Sequence, residues 1–199
     1  MNWDGIIRAV DRPTPIPASQ QIERELVRCD YSPSPYRDPL AERDGWPPFC
    51  VPFHLWVWEH EIIPTPYQLL KLYFSLYPWA DNGHRAGLEA RGLRAWASLV
   101  RDFHLGALLR EAGMETRISL QADVQGTDVL VFGPKDTTLK VHAYVWTPRA
   151  KSFRDRKPDG REHFDLPLIR EEAREVHNVW LYQHPLHTDR VRRALEHLK

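Results

Sequence analysis

The chain has few cysteines and no long apolar run. Its two cysteines, Cys29 and Cys50, are too few for a disulfide framework or a thiolate zinc site, so both are expected to be free thiols. No apolar segment approaches the roughly 20 residues that span a bilayer. The first residues carry no basic segment followed by a long apolar one. We therefore expect no secretory signal, a cytoplasmic location and no membrane partner.

The chain also lacks a net charge. Lys and Arg together number 27, as do Asp and Glu, so the overall charge does not indicate a polyanionic partner. The local distribution is uneven, because six basic residues stand against two acidic ones between Arg149 and Arg161. Such a stretch is either a solvated surface run or a phosphate-binding loop, and both interpretations remain open.

Several catalytic motifs are missing as well. No Gly-rich phosphate loop and no nucleophile elbow is present, which argues against a P-loop nucleotide hydrolase and a serine hydrolase. His54, Glu59, His60 and Glu61 lie close together in sequence, but their spacing matches no helical zinc-protease pattern. The surrounding tryptophans favour packing as the role of this segment.

The composition that remains is that of one compact domain of mixed α/β class. The chain has 199 residues, of which 42% are apolar and 27% charged. Twelve of the 17 prolines precede residue 85, so we expect a loop-rich, partly helical region over residues 1–84. That region should pack on a core formed by residues 85–199.

Three segments of the first half carry structural signals. A helix is predicted from about Gln20 to Cys29 after a Ser19 cap. A second helix is predicted to begin at Thr65, with proline at its first position and Gln68 completing a capping box. The aromatic segment from Phe49 to Trp58 is interpreted as a buried strand or as a surface that grips a partner.

The second half predicts a regular order of elements. Apolar residues recur at helical spacing from Leu93 to Ala112, and Gly113 follows as a stop signal. Three strands should follow, then a helix, a short strand and a last helix. The predicted segments are 116–120, 129–132 and 139–147 for the strands, 167–176 for the helix, 179–182 for the short strand, and a helix capped by Thr188.

This order resembles the core of the PD-(D/E)xK restriction-endonuclease-like nucleases. In that family a helix leads into three meandering strands, which a helix and a further strand follow. Members commonly place a metal-binding aspartate at the start of the second strand, often after glycine, and the run from Gln125 to Phe132 puts Asp128 there. The resemblance implies an α/β (α+β) fold, with a mixed sheet flanked by helices and a Pro- and aromatic-rich N-terminal extension.

The resemblance also implies a magnesium- or manganese-dependent nuclease, with DNA as the first candidate substrate. Asp128 would be the main metal ligand and Asp123 a further one. The family's acid and lysine on the third strand are not matched, because Lys140, His142 and Tyr144 occupy the outward positions. His142 would then act as ligand or base and Lys140 would steady the phosphate, with Asp102 or Glu111 as an additional acid. The competing interpretation of Asp128 is a local turn cap.

The basic segment would meet the phosphate backbone, and Phe153 or Trp146 could stack on a base. The predicted phosphate contacts are Arg149, Lys151, Arg154 and Lys157.

Two alternatives to a nuclease remain open. One is a catalytically degenerate relative that binds nucleic acid, and the other is an assembly component of a phage or mobile element. A homodimer or a larger protein complex is compatible with each. Exposure of Trp56, Trp58 and Trp79 would favour the assembly component.

Overall fold

The computed structural model describes residues 12–43, 45–81, 83–154 and 163–198. Its α-helices are α1 (Ser19–Arg28), α2 (Cys50–His60), α3 (Pro66–Leu76), α4 (Arg85–Glu111), α5 (Leu120–Val124), α6 (Pro148–Arg154) and α7 (Leu186–Glu196). Its strands are β1 (Pro13–Thr14), β2 (Glu115–Ser119), β3 (Val129–Phe132), β4 (Thr138–Val145), β5 (His163–Leu168), β6 (Arg174–Val176) and β7 (Val179–Leu181). Short 3-10 turns lie at Pro78–Asp81 and Arg170–Glu172.

Five strands form one mixed sheet in the order β1-β2-β3-β4-β5. The first four pair antiparallel, and β5 pairs parallel to β4. A parallel pair needs a crossover connection, which here contains α6. The remaining pair, β6 and β7, forms a separate two-stranded hairpin. The protein is therefore of mixed α/β class, as the sequence predicts.

One face of the sheet supplies the core. Val129 lies opposite Val141 and Val131 opposite Leu139, and all four side chains are buried. Helix α4 lies against β2 and β3, while α7 lies against β4 and β5. Alternate positions such as Lys140 point to the other face, as the two-residue period of a strand requires.

The first half is integral to this core. The strand β1 extends the sheet through β2, and α1, α2 and α3 all contact α4. The predicted capping box is confirmed: the Thr65 hydroxyl accepts from the Gln68 backbone N–H, and the Gln68 side chain accepts from the Thr65 backbone N–H. The described part of the first half contains three helices, where the sequence predicts two.

The interpretation of Phe49 to Trp58 as a strand is wrong. This segment is helix α2, and its residues from Cys50 to His54 are buried. Pro52 sits in the first helical turn, where the backbone N–H has no partner within the helix and proline is tolerated. The helix is apolar on most sides, so it lacks the one-sided pattern that distinguishes a surface helix from a strand.

The helix predicted over residues 167–176 is also wrong. Residues 163–168 form β5 instead, in which Leu166 and Leu168 are buried. Pro167 is compatible with this strand because β5 lies at the edge of the sheet. The strand predicted at 179–182 exists as β7, but it pairs with β6 rather than with the main sheet. His177 and Asn178 both have positive φ and form the two-residue hairpin turn.

Several predicted boundaries shift. Ser19 is the first residue of α1 rather than its cap, and its hydroxyl and backbone N–H both donate to the carboxylate of Glu111. Helix α4 begins at Arg85, and α7 begins two residues before Thr188. The strand β4 ends at Val145.

The tryptophans of the first half divide between core and surface. Trp56 and Trp58 are half-buried, so they do not form an uncovered patch. Trp79 is 48% exposed and stacks on Trp46 with ring centroids 5.8 Å apart. Within the described ranges, no helix has both the length and the apolar character that a bilayer crossing demands.

Candidate functional site

The candidate site lies at the end of the sheet where β3 begins, called the β3-start end below. Because β3 runs antiparallel to β4 and β5 runs parallel to β4, the last residues of β4 and β5 lie at this same end. Trp146 follows β4 there, Ile169 follows β5, and Asp128 precedes β3. The sequence-predicted ligand, the first residues of the basic segment and one exposed indole therefore lie at one end of the sheet.

Asp128 bridges the start of β3 to β4. Its backbone N–H donates to the carbonyl of Val141 at 3.1 Å, and its Oδ2 accepts from the backbone N–H of Ala143 at 2.6 Å. The carboxylate thus satisfies a backbone donor on the neighbouring strand. This contact fixes the side chain at the β3-start end.

Asp102 of α4 is the second carboxyl group at this end. It is buried, and its Oδ1 has no hydrogen-bond partner among the described residues. Burial raises the pKa of Asp102 well above its usual value, and repulsion from Asp128 and Asp123 adds to this rise while Arg101 opposes it. The electrostatic environment therefore favours the neutral form of this carboxyl group.

Two further groups enclose Asp102. Arg101 is buried, and its Nε donates to the carbonyl of Trp180 at 2.9 Å. The hydroxyl of Tyr182 donates to the carbonyl of Leu166 at 2.8 Å, and burial raises the pKa of Tyr182 well above its usual value. The surroundings of Asp102 therefore include one side chain of α4 and one that follows β7, each bonded to a backbone carbonyl.

Asp123 is the half-buried end of a chain of polar groups that sequence reasoning missed. Its Oδ2 lies 3.1 Å from Nε2 of His54, and Nδ1 of His54 lies 2.6 Å from the hydroxyl of Thr14. A carboxylate only accepts, so Nε2 donates to Asp123, and the second hydrogen bond joins Nδ1 to the Thr14 hydroxyl. His54 is 0% exposed and Thr14 is buried as well. The arrangement ties β1, α2 and α5 together.

His142 and Lys140 occupy different surroundings from those the resemblance implies. The Nε2 of His142 lies 2.7 Å from Nδ1 of His163, and the two rings stack with centroids 4.9 Å apart. Lys140 is half-buried and lines a shallow concavity with Arg117 and Thr127 on the open face of the sheet. The side chain of His142 is buried, although the strand pattern places it on the same face as Lys140.

The basic segment begins with α6, which carries Arg149, Lys151 and Arg154. Lys151 is exposed. The Thr147 hydroxyl accepts from the backbone N–H of Ala150 at 3.0 Å and starts the helix. The predicted contact Lys157 lies outside the described residues, as does the rest of the segment from 155 to 162.

The predicted metal ligands do not form a metal centre. In the ranges that the structure describes, no three His, Cys, Asp or Glu side chains are arranged to hold a metal ion. Asp128, Asp123 and His142 each bond a different protein partner. Mg²⁺ and Mn²⁺ are held by several ligands that converge on one point, and the described His, Cys, Asp and Glu residues provide no such group. These side chains do not fit the Mg²⁺ or Mn²⁺ that the resemblance implies.

Comparison of the chain with protein-family models, curated proteins and solved structures finds no match. The fold and the site therefore establish the structural class of the chain. It is a mixed α/β protein with a five-stranded mixed sheet, a buried aspartate with two acidic neighbours, and a helix with three basic residues that follows β4 at the β3-start end.

Proposed function

We propose that this chain binds nucleic acid at the β3-start end of its sheet. The fold would be a restriction-endonuclease-like one whose metal-dependent cleavage has been lost. DNA is the first ligand to test. The observation that carries the proposal is the position of α6, whose seven residues include three basic ones and which follows β4 at the end of the sheet where Asp128 precedes β3.

The order of elements supports the nuclease-like fold. Helix α4 leads into the antiparallel strands β2, β3 and β4, which α6 and the parallel strand β5 follow. This is the order that the resemblance implies, with a short helix, α5, inserted between β2 and β3. Fold alone does not fix activity, so the side chains at the site decide the function.

The side chains favour binding over cleavage. The outward positions of β4 carry neither the acid nor the acid–lysine spacing of the family, and the core-facing positions are Val141, Ala143 and Val145. Lysine and arginine need no special geometry to attract a phosphate backbone, because that attraction is electrostatic and independent of sequence. A surface that has lost its metal ligands therefore still binds nucleic acid.

The test is a titration of labelled single- and double-stranded DNA and RNA with the full chain at several salt concentrations. Each phosphate contact contributes about 0.7–0.9 to the slope of log K against log salt. Replacing Arg149, Lys151 and Arg154 together by Gln should weaken binding. It should also reduce the magnitude of this slope by the contribution of about two phosphate contacts. Lys71→Gln, an exposed lysine on α3, is the matched control and should leave binding unchanged. Equal slopes for the triple variant and the wild type would contradict the proposal.

A divalent-metal nuclease is the second candidate. The observation that favours it is the electrostatic coupling of Asp102 on α4 with Asp128 at the start of β3, since a buried acid with a raised pKa beside a second acid often marks a functional site. Metal-dependent cutting that is lost in Asp128→Ala would make this candidate the better one.

A further inference from the structure

A groove at the β3-start end is lined by two indole rings and a guanidinium. It has a volume of about 400 Å³, within the roughly 300–1,000 Å³ of small-ligand sites. The residues around it are Trp146, Thr147, Ile169, Arg170, Glu171 and Trp180. They come from the segments that follow β4 and β5 and from the hairpin strand β7.

We propose that this groove, lined by Trp146 and Trp180, holds an unpaired base of single-stranded nucleic acid. The inference rests on the proposed nucleic-acid binding and deepens it, because it assigns the strandedness of the ligand and the side chains that contact its bases.

The wall formed by Trp180 is fixed from two sides. Its indole N–H donates to Oε2 of Glu175 at 3.3 Å, and its carbonyl accepts from the buried Arg101 at 2.9 Å. The guanidinium of Arg170 lies 5.7 Å from the centroid of the same ring. A ring held in this way loses little conformational entropy when a flat ligand stacks on it.

Trp146 forms the accessible wall. It is 45% exposed although it directly follows a strand in which Leu139, Val141 and Ala143 are buried. An exposed indole beside a concave surface is typical of an interaction site rather than of a core. The backbone N–H of Trp146 donates to the carbonyl of Leu168 at 3.0 Å, so the exposed side chain projects from an ordered strand end.

The chemistry of the lining favours a nucleobase. Every base has a π-face, and stacking on tryptophan with a nearby arginine is the usual way to bind single strands without a fixed sequence. The carboxylate of Glu171 could accept from an exocyclic amine such as N4 of cytosine. Thr147 both lines the groove and starts α6, so a base in the groove would place its phosphates beside the basic helix.

The same lining disfavours a duplex. Bases inside a double helix cover each other's faces, so an indole stacks only on a base that is unpaired or flipped out. The proposal therefore predicts a preference for single strands over a duplex of the same sequence.

The test measures binding of a labelled single strand, its duplex and an abasic strand of equal length to the full chain. Trp146→Ala should weaken single-strand binding by roughly 5- to 100-fold, the range that one base–aromatic stack supplies. Trp146→Phe should retain most of the affinity, because a phenyl ring also stacks. Trp79→Ala removes an exposed indole on another surface and should change nothing. The abasic strand should bind the wild type and Trp146→Ala equally.

The outcomes separate the two proposals. If the wild type binds DNA or RNA with steep salt dependence but Trp146→Ala binds as well as Trp79→Ala, the groove inference is overturned and the proposed function stands. Tighter binding of the duplex than of the single strand also overturns the inference. If the wild type binds no nucleic acid at any salt concentration, both proposals fail. Displacement of the single strand by a proline-rich peptide that binds the groove more tightly would assign the groove to a protein ligand instead.

Discussion

Asp102 is a single buried carboxyl group that can lower the free energy of unfolding. Its carboxyl group lies inside the protein on α4, with Asp128 and Asp123 as acidic neighbours and Arg101 as the opposing charge. The protonated form of such a buried group destabilises the folded protein little, because it carries no charge. As the pH rises and the group ionises, the destabilisation increases. A side chain that destabilises the folded protein in this way is often retained because the function requires it.

We predict a pH-dependent difference between the wild type and Asp102→Asn. The folded-state pKa of Asp102 is raised, so the stabilisation that comes from holding its proton is complete below the unfolded pKa of about 3.9 and is lost as pH rises through the folded pKa. The free energy of unfolding of the wild type should fall by up to about 1.4 kcal/mol per pH unit in that window. The asparagine variant lacks this slope.

Urea denaturation at a series of pH values measures this difference. Asp136→Asn is the control, since Asp136 is exposed in a turn whose positive φ asparagine also tolerates. Parallel pH profiles for the wild type and Asp102→Asn would show that Asp102 titrates alike in the folded and unfolded chains.

His54 is the second residue whose removal should be costly. His54→Ala leaves a cavity at a fully buried position and removes the partner of both Thr14 and Asp123. We expect a loss of roughly 2–4 kcal/mol in the free energy of unfolding, whereas the exposed His197→Ala should stay within about 0.5 kcal/mol. Combining His54→Ala with Asp123→Asn should cost less than the sum of the two changes, because the variants share one interaction. Strict additivity would mean that the imidazole and the carboxylate do not interact.

Among the elements, those with local signals could be predicted and those defined by distant contacts could not. Helices α3 and α4 carry capping residues and apolar spacing of their own, and the alternation in β4 marks a strand. Helix α2 lacks such a pattern because it is surrounded by protein. The strand β5 was missed because Pro167 and acidic residues near it suggest a helix start, while its strand state depends on pairing with β4.

Gly87 tests the packing of α4 against the loop between α1 and α2. A Cβ at this position would lie 2.5 Å from Cβ of Asp38 and 2.8 Å from Cβ of Ala41, and neither atom is the flexible end of a long side chain. Gly→Ala within a helix normally stabilises by about 1 kcal/mol, but here we expect Gly87→Ala to destabilise by roughly 1–3 kcal/mol. Thermal unfolding gives the comparison, with the reverse change Ala86→Gly at the exposed neighbour as a measure of propensity alone. A raised Tm for Gly87→Ala would contradict the close approach.

For the molecule as a whole, the order of elements was easier to predict than the site. Asp128 lies at the predicted place, but the partners of Asp123 and His142 are His54 and His163, which are 69 and 21 residues away in the sequence. Contacts between residues so far apart in the sequence leave no periodic pattern from which they could be predicted. Of the groove, the sequence indicates only Trp146, because Arg170 and Trp180 reach it from the turn after β5 and from the hairpin.

The first half of the chain and residues 85–199 should not fold independently of each other. The indole of Trp96 on α4 is fully buried and donates to the carbonyl of Pro64 at 2.7 Å, and Phe103 packs on Phe53 with centroids 5.2 Å apart. We predict that a fragment spanning residues 85–199 lacks a cooperative urea transition, since it exposes the α4 face that α1, α2 and α3 cover. Circular dichroism during denaturation measures this. A cooperative transition for the fragment would show an independent domain.

Incubation of the full chain with labelled single-stranded and duplex DNA and RNA, with Mn²⁺ or Mg²⁺ and with EDTA, decides between binding and cleavage. Parallel binding and denaturing gels report both properties of the same samples. We predict that the single strand is bound, that the binding weakens steeply with salt, and that every substrate is recovered intact with either metal. Metal-dependent cutting that EDTA and Asp128→Ala both abolish would contradict the loss of catalysis and establish the nuclease.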